Sequence, residues 1–300
     1  MRESPRIGPA FFKAHGHGND YLVFEEGGGP VLTAALAQRI CDRHRGPGAD
    51  GIVVVEAGPR EAEPRLRMFN PDGGEFERSG NGLRIAGVYL RRSGRAADEP
   101  FSVVAGGGRV GLRVAGPDPR GVWDVRADMG KVEFPAGPPF VRAGLAGEGG
   151  RVVLEVPPLQ GGAVSRVEVV PVSVGNPHAV AFRDAWTPGQ VARYGPLLGT
   201  HEAFPRGANV QFAEIPAGRE VAIRIWERGV GPTTASGTSA CAAVAAAVRR
   251  GYMEPGAATV VMEGGAMEVE VAADWAVRLR GPVEEVCGGE LAPGLAEGVP

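Results

Sequence analysis

The sequence is poor in several residue types, and each shortage excludes a class of protein. Its 300 residues hold only three cysteines, Cys41, Cys241 and Cys287, which lack the paired spacing of a disulfide scaffold or a zinc site. The longest run of small apolar residues, 240–248, is far shorter than the roughly 20 residues that a membrane span needs. Residues 1–9 lack the apolar centre of a signal peptide. We therefore expect a cytosolic protein without a membrane partner.

A surplus of basic residues is also absent. The net charge is −3, so we expect no nucleic-acid partner. Lysine occurs only at Lys13 and Lys131, and neither lies in the phosphate-binding setting of a Schiff-base lysine in a pyridoxal enzyme. The glycines at 106–108 lack the strand, spacing and helix of a dinucleotide fingerprint, and His15 and His17 have no third metal ligand at a suitable spacing. We expect neither a cofactor nor a metal.

An internal repeat organises the rest of the chain. Three short motifs recur in the same order in both halves, at offsets of 157 to 159 residues, which is hard to obtain by chance. The matching segments are Gly18-Asn19 with Gly175-Asn176, Gly48-Ala49-Asp50 with Gly207-Ala208-Asn209, and Ser79-Gly80 with Ser236-Gly237. Each half is therefore predicted to contain the same order of elements: an extended segment after Gly-Asn, a helix, further strands, and a strand that turns into a second helix.

Local patterns supply the elements of this duplicated plan. Apolar spacing and helix-end signals predict helices over 34–44, with Thr33 as N-cap, and over 81–92 and 238–250. Alternating and β-branched runs predict strands over 51–56, 65–69, 101–105, 109–114, 152–156, 167–172, 221–226 and 258–262. The prediction is an α+β protein of two structurally similar lobes. The N-terminal lobe spans 1–125 and is completed by about 280–300, and the C-terminal lobe spans 126–279.

Both repeats place Ser-Gly at the entrance of a helix, at Ser79 and at Ser236. The first turn of a helix has unpaired backbone N–H groups and the positive end of the helix dipole, so it can bind a carboxylate. Two such ends facing one carboxylate would also stabilise the charge that develops when the adjacent carbon loses a proton. A simpler interpretation is that each serine only caps its helix, because serine is among the best N-cap residues.

The sequence resembles the diaminopimelate epimerases over nearly the whole chain. The motifs that carry the resemblance are Lys13-Ala14-His15-Gly16-His17-Gly18-Asn19-Asp20, Arg43 through Asp50, Phe69-Asn70-Pro71-Asp72-Gly73, Gly80-Asn81-Gly82, Gly175-Asn176-Pro177-His178, Ala208-Asn209-Val210, Glu227-Arg228-Gly229, and Gly237-Thr238 with Ala240-Cys241-Ala242-Ala243. The resemblance implies a diaminopimelate epimerase-like fold with the active site in the cleft between the lobes. It also implies an isomerase that inverts an amino-acid α-carbon without a cofactor, converting LL-diaminopimelate to the meso form for lysine and peptidoglycan synthesis, and a homodimer.

Site residues follow from the same resemblance, position by position. The two catalytic cysteines of the family fall on Ser79 and Ser236, and His178 and Glu227 match residues near that pair. Positions that hold the distal amino and carboxylate groups of the substrate fall on Asn19, Asn70, Asn176, Asn209, Glu227 and Arg228. Positions that hold the reacting α-carboxylate fall on Gly80, Asn81, Gly237 and Thr238.

The serines depart from the family in a way that matters for catalysis. A free cysteine has a pKa of about 8.5, and this pKa can be several units lower at a helix start. A serine, in contrast, needs a neighbouring base to take its proton. His178 and Glu227 are the candidates for that base. Other departures are Pro232 for a glutamate, Ser239 for a glycine, and Gly51 for a glutamine.

Three hypotheses therefore stay open. The chain is an epimerase of this family, impaired or inactive because serine replaces both cysteines, whether these are native or engineered substitutions. Alternatively, it is an isomerase of the same fold that acts on another substrate through Glu75, Glu77 or His178. The third hypothesis is a protein that binds an amino acid without catalysis.

Overall fold

The computed structural model describes the chain except for residues 1–2, 61–62, 136, 143, 146, 148–149, 158–164 and 297–300. Contacts between Cα atoms divide it into two compact units. Unit 1 comprises Met1–Asp128 and Arg280–Pro300, and unit 2 comprises Met129–Leu279. No helix within the described ranges is long and apolar enough to cross a membrane.

Unit 1 is a mixed sheet with two helices of more than one turn. Its elements are β1 (Arg6–Gly16), β2 (Asn19–Val31), α1 (Ala34–Cys41), β3 (Gly51–Arg60), β4 (Glu63–Phe69), β5 (Glu75–Phe76), α2 (Gly80–Arg92), β6 (Phe101–Ala105), β7 (Gly108–Ala115), most of β8 (Val122–Lys131), most of β17 (Ala276–Glu290) and the short α5 (Pro293–Ala296). Strand β1 pairs antiparallel with β2 and with the end of β17, β2 runs parallel to β3, and β4 pairs antiparallel with β3 and β5 and parallel with β6.

Unit 2 repeats this arrangement. Its complete elements are β9 (Val152–Val156), β10 (Ser165–Ser173), β11 (Pro177–Phe182), α3 (Pro188–Gly199), β12 (Asn209–Glu214), β13 (Glu220–Glu227), β14 (Gly231–Thr233), α4 (Gly237–Arg249), β15 (Gly256–Met262) and β16 (Gly265–Val271). Strand β10 pairs antiparallel with β9 and β11, β11 runs parallel to β12, and β13 pairs antiparallel with β12 and β14 and parallel with β15.

The predicted offset of 157 residues holds in the strand register. Arg65 is the partner of Val104 in the parallel pair of unit 1, and Ala222 is the partner of Val261 in unit 2, so both members are shifted by 157. Helix α2 and helix α4 are shifted by the same amount at both ends. The α+β fold of two like units is therefore confirmed at the level of individual residue pairs.

Each unit has its own hydrophobic core. Leu22, Phe24, Ile52 and Val54 in unit 1 are fully buried because β2 and β3 are central strands that are covered on their inner face. In unit 2 a separate cluster gathers around Trp186 and Phe212. Helix α4 is buried along nearly its whole length, and its alanines allow neighbouring strands to approach it closely.

Helix boundaries agree with the predictions at the serines and differ elsewhere. Thr33 caps α1 as predicted, with Oγ1 accepting from the Leu36 N–H at 3.2 Å. The predicted end of α1 at residue 44 is wrong, because the Asp42 carboxylate accepts the N–H groups of His44 and Arg45 and so ends the helix at Cys41.

Candidate active site

The predicted site residues of unit 1 lie at the start of α2 and in the turn between β1 and β2. Ser79 is the N-cap of α2, and its Oγ accepts the N–H of Gly82 at 3.0 Å. The next two N–H groups, of Gly80 and Asn81, have no hydrogen-bond partner among the described residues. Two donors are therefore directed outward at the position where the sequence predicts a carboxylate.

A chain of hydrogen bonds fixes the two asparagine amides beside the start of α2. Asn19 Nδ2 donates to Asp50 Oδ2 at 3.1 Å, and Asn19 Oδ1 accepts from Asn81 Nδ2 at 2.8 Å. Asn81 Oδ1 accepts from Arg84 Nη2 at 2.8 Å, while Arg84 Nη1 donates to the Pro282 carbonyl at 3.0 Å. An ionised carboxylate can only accept and a guanidinium can only donate, so the two charged ends dictate the orientation of both amides.

This orientation separates the roles of the two asparagines. Asn81 Nδ2 also donates to the backbone carbonyl of Asn19 at 2.5 Å, so both of its side-chain N–H groups are used within the protein. Asn19 Nδ2 has one further N–H. The Asn81 contribution to a ligand is therefore its backbone N–H, whereas Asn19 can use its side chain.

The Asp50 end of the chain belongs to a cluster of four charged side chains. Arg43 donates to both Asp20 and Asp50, and Lys13 Nζ lies 3.0 Å from Asp20. Burial would raise the pKa of Asp20, but hydrogen bonds from Arg43 and Lys13 hold it below its usual value. Burial and the neighbouring Asp20 carboxylate raise the pKa of Asp50. The Asp50 carboxylate that orients Asn19 is thus one of two neighbouring carboxylates, and Arg43 donates to both of them.

Gly16 explains why the first motif is rich in glycine. A Cβ at this position would overlap Asn81 Oδ1 and would lie 2.8 Å from Arg84 Nη2. The turn that follows uses His17 and Gly18, both at positive φ, to reverse the chain into Asn19. The glycines therefore allow the β1–β2 turn to lie directly on the buried Asn81–Arg84 pair.

Asn70 lies apart from this hydrogen-bond chain, in the turn after β4. Its backbone accepts from Gly73 and donates to Gly74, while its side-chain amide has no hydrogen bond within the described residues. No group of three His, Cys, Asp or Glu side chains in the part of the chain that the structure describes could hold a metal ion.

The start of α4 in unit 2 is equivalent to the start of α2 but is not capped. Ser236 has the N-cap backbone conformation, yet its side chain makes no capping hydrogen bond. The N–H groups of Gly237, Thr238 and Ser239 consequently lack a hydrogen-bond partner among the described residues. The start of α4 therefore directs three backbone donors outward, one more than the start of α2.

His178, the predicted supporting residue, lies in β11 and is buried, with 1% of its surface exposed. Its Nε2 is 2.8 Å from Asn176 Oδ1, and its Nδ1 is 3.0 Å from Gln211 Nε2. Burial, together with the nearby charge of Arg228, lowers its pKa to about 3. Both ring nitrogens are engaged and the ring is neutral, so the geometry does not favour His178 as the base for a serine.

The remaining predicted residues of unit 2 meet at Asn209. Asn209 Nδ2 donates to the Pro177 carbonyl at 3.1 Å, and its Oδ1 accepts the backbone N–H of Arg228 at 3.0 Å. Glu227 is the last residue of β13, and the Arg228 guanidinium donates to the Arg206 carbonyl at 2.9 Å. The structure therefore brings Asn209 and Arg228 together, next to the strand that carries Glu227.

Three buried residues of these networks were not predicted from the sequence. Arg84 orients Asn81, while Gln211 joins His178 to Ser239, its Nε2 donating to Ser239 Oγ at 2.9 Å. Ser239 was noted only as a departure from a family glycine. The signal for Arg84 was its place in the predicted helix beside Asn81, but its burial follows from long-range packing.

Comparison with known proteins agrees with this architecture. The family model for diaminopimelate epimerase matches residues 11–135 and 170–286. The chain belongs to the diaminopimelate epimerase family. Its relatives include the diaminopimelate epimerases of Pelotomaculum thermopropionicum, 42% identical, and Desulforudis audaxviator, 40% identical; both alignments cover 93% of this chain and 98% of the relative.

Solved structures extend the likeness in fold. A hydroxyproline epimerase from Agrobacterium vitis, with trans-4-hydroxy-L-proline bound, has a TM-score of 0.69 at 16% identity, covering 100% of this chain and 97% of the other. A phenazine biosynthesis protein from Bacillus anthracis has a TM-score of 0.61 at 13% identity, covering 94% and 98%. The diaminopimelate epimerase family is a family of isomerases, and this chain shares its fold throughout.

Proposed function

We propose that this protein is a cofactor-independent amino-acid epimerase that inverts one α-carbon of LL-diaminopimelate to give the meso form. The observation that carries the proposal is the duplication of one device. Each unit has a helix that starts with Ser-Gly and presents backbone N–H groups without a partner among the described residues, two at the start of α2 and three at the start of α4. Membership of the diaminopimelate epimerase family supports the same assignment.

The proposed chemistry is a proton exchange at carbon. A base on one face removes the α-proton, and an acid on the other face returns one, so atoms and charge balance without a redox step. The N–H groups at the helix starts would bind the α-carboxylate and stabilise the negative charge that spreads into it as the proton leaves. In this proposal Ser79 and Ser236 occupy the positions of base and acid, and the carboxamides of Asn19, Asn70, Asn176 and Asn209 bind the polar far end of the substrate.

The serines weaken catalysis in this proposal. The field of a helix start stabilises an anion by only about 0.3–2 kcal/mol, which is too little to maintain a serine alkoxide. The supporting residue His178 is neutral with both nitrogens engaged, so it offers no proton acceptor. We therefore propose a complete binding site with impaired proton transfer. The alternative that uses Glu75 is less well supported, because Arg67 binds both oxygens of that carboxylate, at 2.8 and 2.7 Å.

Hydrogen exchange at the α-carbon tests the proposal. The chain is incubated with LL-diaminopimelate in heavy water, alongside the double variant Ser79→Cys with Ser236→Cys, and deuterium at Cα is followed by NMR. We expect slow or undetectable exchange by the unmodified chain and rapid exchange by the double variant. Exchange by neither protein, with tight binding of diaminopimelate, would favour a binding protein. Exchange by neither, without binding, would favour another substrate.

The proposal includes a cytoplasmic location, which was expected from the sequence, and a homodimer, which is expected from the family. Sedimentation velocity of the purified chain tests the second, and a monomer at micromolar concentration would contradict it.

A further inference from the structure

Gln211 links two parts of the candidate site in unit 2. It lies in β12 with no exposed surface, between His178 in the parallel neighbour β11 and Ser239 in the first turn of α4. Its Nε2 is 3.0 Å from His178 Nδ1 and 2.9 Å from Ser239 Oγ. One amide group therefore links the strand that leads from Asn176 to the helix that follows Ser236.

The Nε2 donor of Gln211 determines which ring nitrogen of His178 carries the proton. An amide nitrogen can only donate, so Nδ1 of His178 must accept. A neutral imidazole that accepts at Nδ1 carries its proton on Nε2, which lies 2.8 Å from Asn176 Oδ1. Asn176 Oδ1 then accepts a hydrogen bond from this Nε2–H, and Asn176 Nδ2 keeps two N–H groups that have no partner among the described residues.

Burying the amide of Gln211 is unfavourable. Its Oε1 is buried and has no hydrogen-bond partner in the described part of the chain. A buried carbonyl oxygen without a partner destabilises a fold, and an apolar side chain of equal length would avoid this. The contacts of this amide with the site are therefore those of its Nε2 donor and not of its oxygen.

We propose that Gln211 is a positioning residue that fixes His178 as the Nε2–H tautomer and thereby makes Asn176 a hydrogen-bond donor. The consequence for substrate rests on the proposed function. With its oxygen occupied by His178, Asn176 binds a carboxylate oxygen of the amino acid and not its ammonium group. The specificity of Asn176 is thus set by a residue that does not itself contact the substrate.

Nitrogen-15 NMR of the histidine rings tests the tautomer without requiring activity. The chain has five histidines, so His178 is assignable by comparison with a His178→Gln variant. We expect proton-bearing Nε2 and bare Nδ1 for His178, unchanged between pH 5 and 9. Proton-bearing Nδ1 in the unmodified protein would overturn the proposal, because Gln211 would then have to present its oxygen.

Two variants test the role of Gln211 itself. Gln211→Met keeps the length and removes the donor, and we expect a mixture of both tautomers. Gln211→Glu offers only acceptors when ionised, so a proton on Nδ1 is expected. Gln38→Met, the same change at an exposed position of α1, should leave the His178 signals unchanged. An unchanged single tautomer in both Gln211 variants would refute the assignment.

The effect on substrate is measured in the Ser79→Cys, Ser236→Cys background. Adding Gln211→Glu is expected to raise KM for diaminopimelate at least tenfold with a smaller change in kcat, because Asn176 would present its oxygen to the substrate carboxylate. An unchanged KM would contradict the inferred specificity role. If the background itself has no activity, the proposed function fails, while the NMR measurement still decides the tautomer.

Discussion

Ser79 and Ser236 occupy equivalent positions 157 residues apart, but only Ser79 caps its helix with a side-chain hydrogen bond. In unit 1 the site asparagines are held by charged groups, with Asp50 and Arg84 at the two ends of an amide chain. In unit 2 neutral groups, Gln211 and His178, have the equivalent supporting role. The duplicated backbone therefore supports two different ways of orienting an asparagine. Unit 1 uses hydrogen bonds that end on charged groups, and unit 2 uses the tautomer of the neutral His178 ring.

The same divergence appears away from the site. Each unit has a cavity where its central strand changes from an antiparallel to a parallel neighbour, beside Arg67 in unit 1 and beside Arg224 in unit 2. The volumes are about 660 and 220 Å³. Unit 1 has Gly106 where unit 2 has Glu263, which pairs with Arg224 and takes up space. The backbone has been kept while side chains have specialised each copy.

The largest expected effect comes from breaking the charged network. Arg84 is fully buried and donates to the Asn81 side chain and the Pro282 carbonyl, so Arg84→Met leaves two buried acceptors without partners. We expect a loss of about 3–5 kcal/mol in the free energy of unfolding, measured in urea. Gln211→Met should cost less than half as much, because it also removes the unpaired Oε1. Equal losses would mean that the two networks do not differ as described.

The second effect is a pH dependence that belongs to unit 2. The folded pKa of His178, about 3, lies below its unfolded value near 6.5, so its contribution to stability is complete above pH 6.5 and is lost as the pH falls toward 3. Between these limits the free energy of unfolding should fall by about 1.4 kcal/mol per pH unit from this group. This contribution to the slope should be absent in His178→Gln. Equal slopes in the two proteins between pH 5 and 6.5 would contradict a neutral buried ring.

A smaller effect separates the two serines directly. Ser79→Ala removes a capping hydrogen bond and is expected to cost about 1 kcal/mol of unfolding free energy. Ser236→Ala removes no capping bond and should cost clearly less. The pair is a matched control, since both changes are chemically identical and both positions precede a 13-residue helix. A larger loss at 236 would reverse the comparison.

The smallest expected effect concerns the three cysteines of the unmodified chain. Their reactivity is the reference against which the Ser→Cys variants are measured. Cys287 is exposed, whereas Cys41 and Cys241 are buried, and burial raises the pKa of Cys41 to about 12. We expect one thiol to react with a maleimide in the native unmodified chain and three after unfolding, by mass spectrometry. Rapid labelling of Cys41 would show that the Asp20–Arg43 cluster beside it opens readily.

The sequence predicted the site elements well where the signals were local. The Ser-Gly pairs located the starts of α2 and α4 within one residue, because a serine N-cap and a glycine are short-range signals. Helix α3 was expected in the repeat but not located, although Thr187 and Gln190 form its capping box, since Pro196 and its glycines mask the periodicity. The end of α1 was placed too late because the effect of the Asp42 side chain on its neighbours was not considered.

Long-range contacts account for the rest. Arg84 is a charged residue on a core-facing helix, and the apolar spacing of Leu83, Ala86 and Leu90 gives no reason to bury it. The Gln211–Ser239 bond joins residues 28 positions apart, and neither residue type indicates such a partner in advance. The catalytic and binding roles assigned through the family resemblance stay predictions until the exchange experiment is done.

The missing cap at Ser236 has a consequence for how this protein can change over time. A replacement at position 79 must supply new chemistry and also keep α2 stable, because the Ser79 hydroxyl serves the helix. A replacement at position 236 has no such second duty. Ser236 is buried, but small side chains can be sampled there without the loss of a cap, so for replacements of similar size position 236 is the less constrained of the two. A new reaction on this scaffold is expected to begin in the second copy of the repeat.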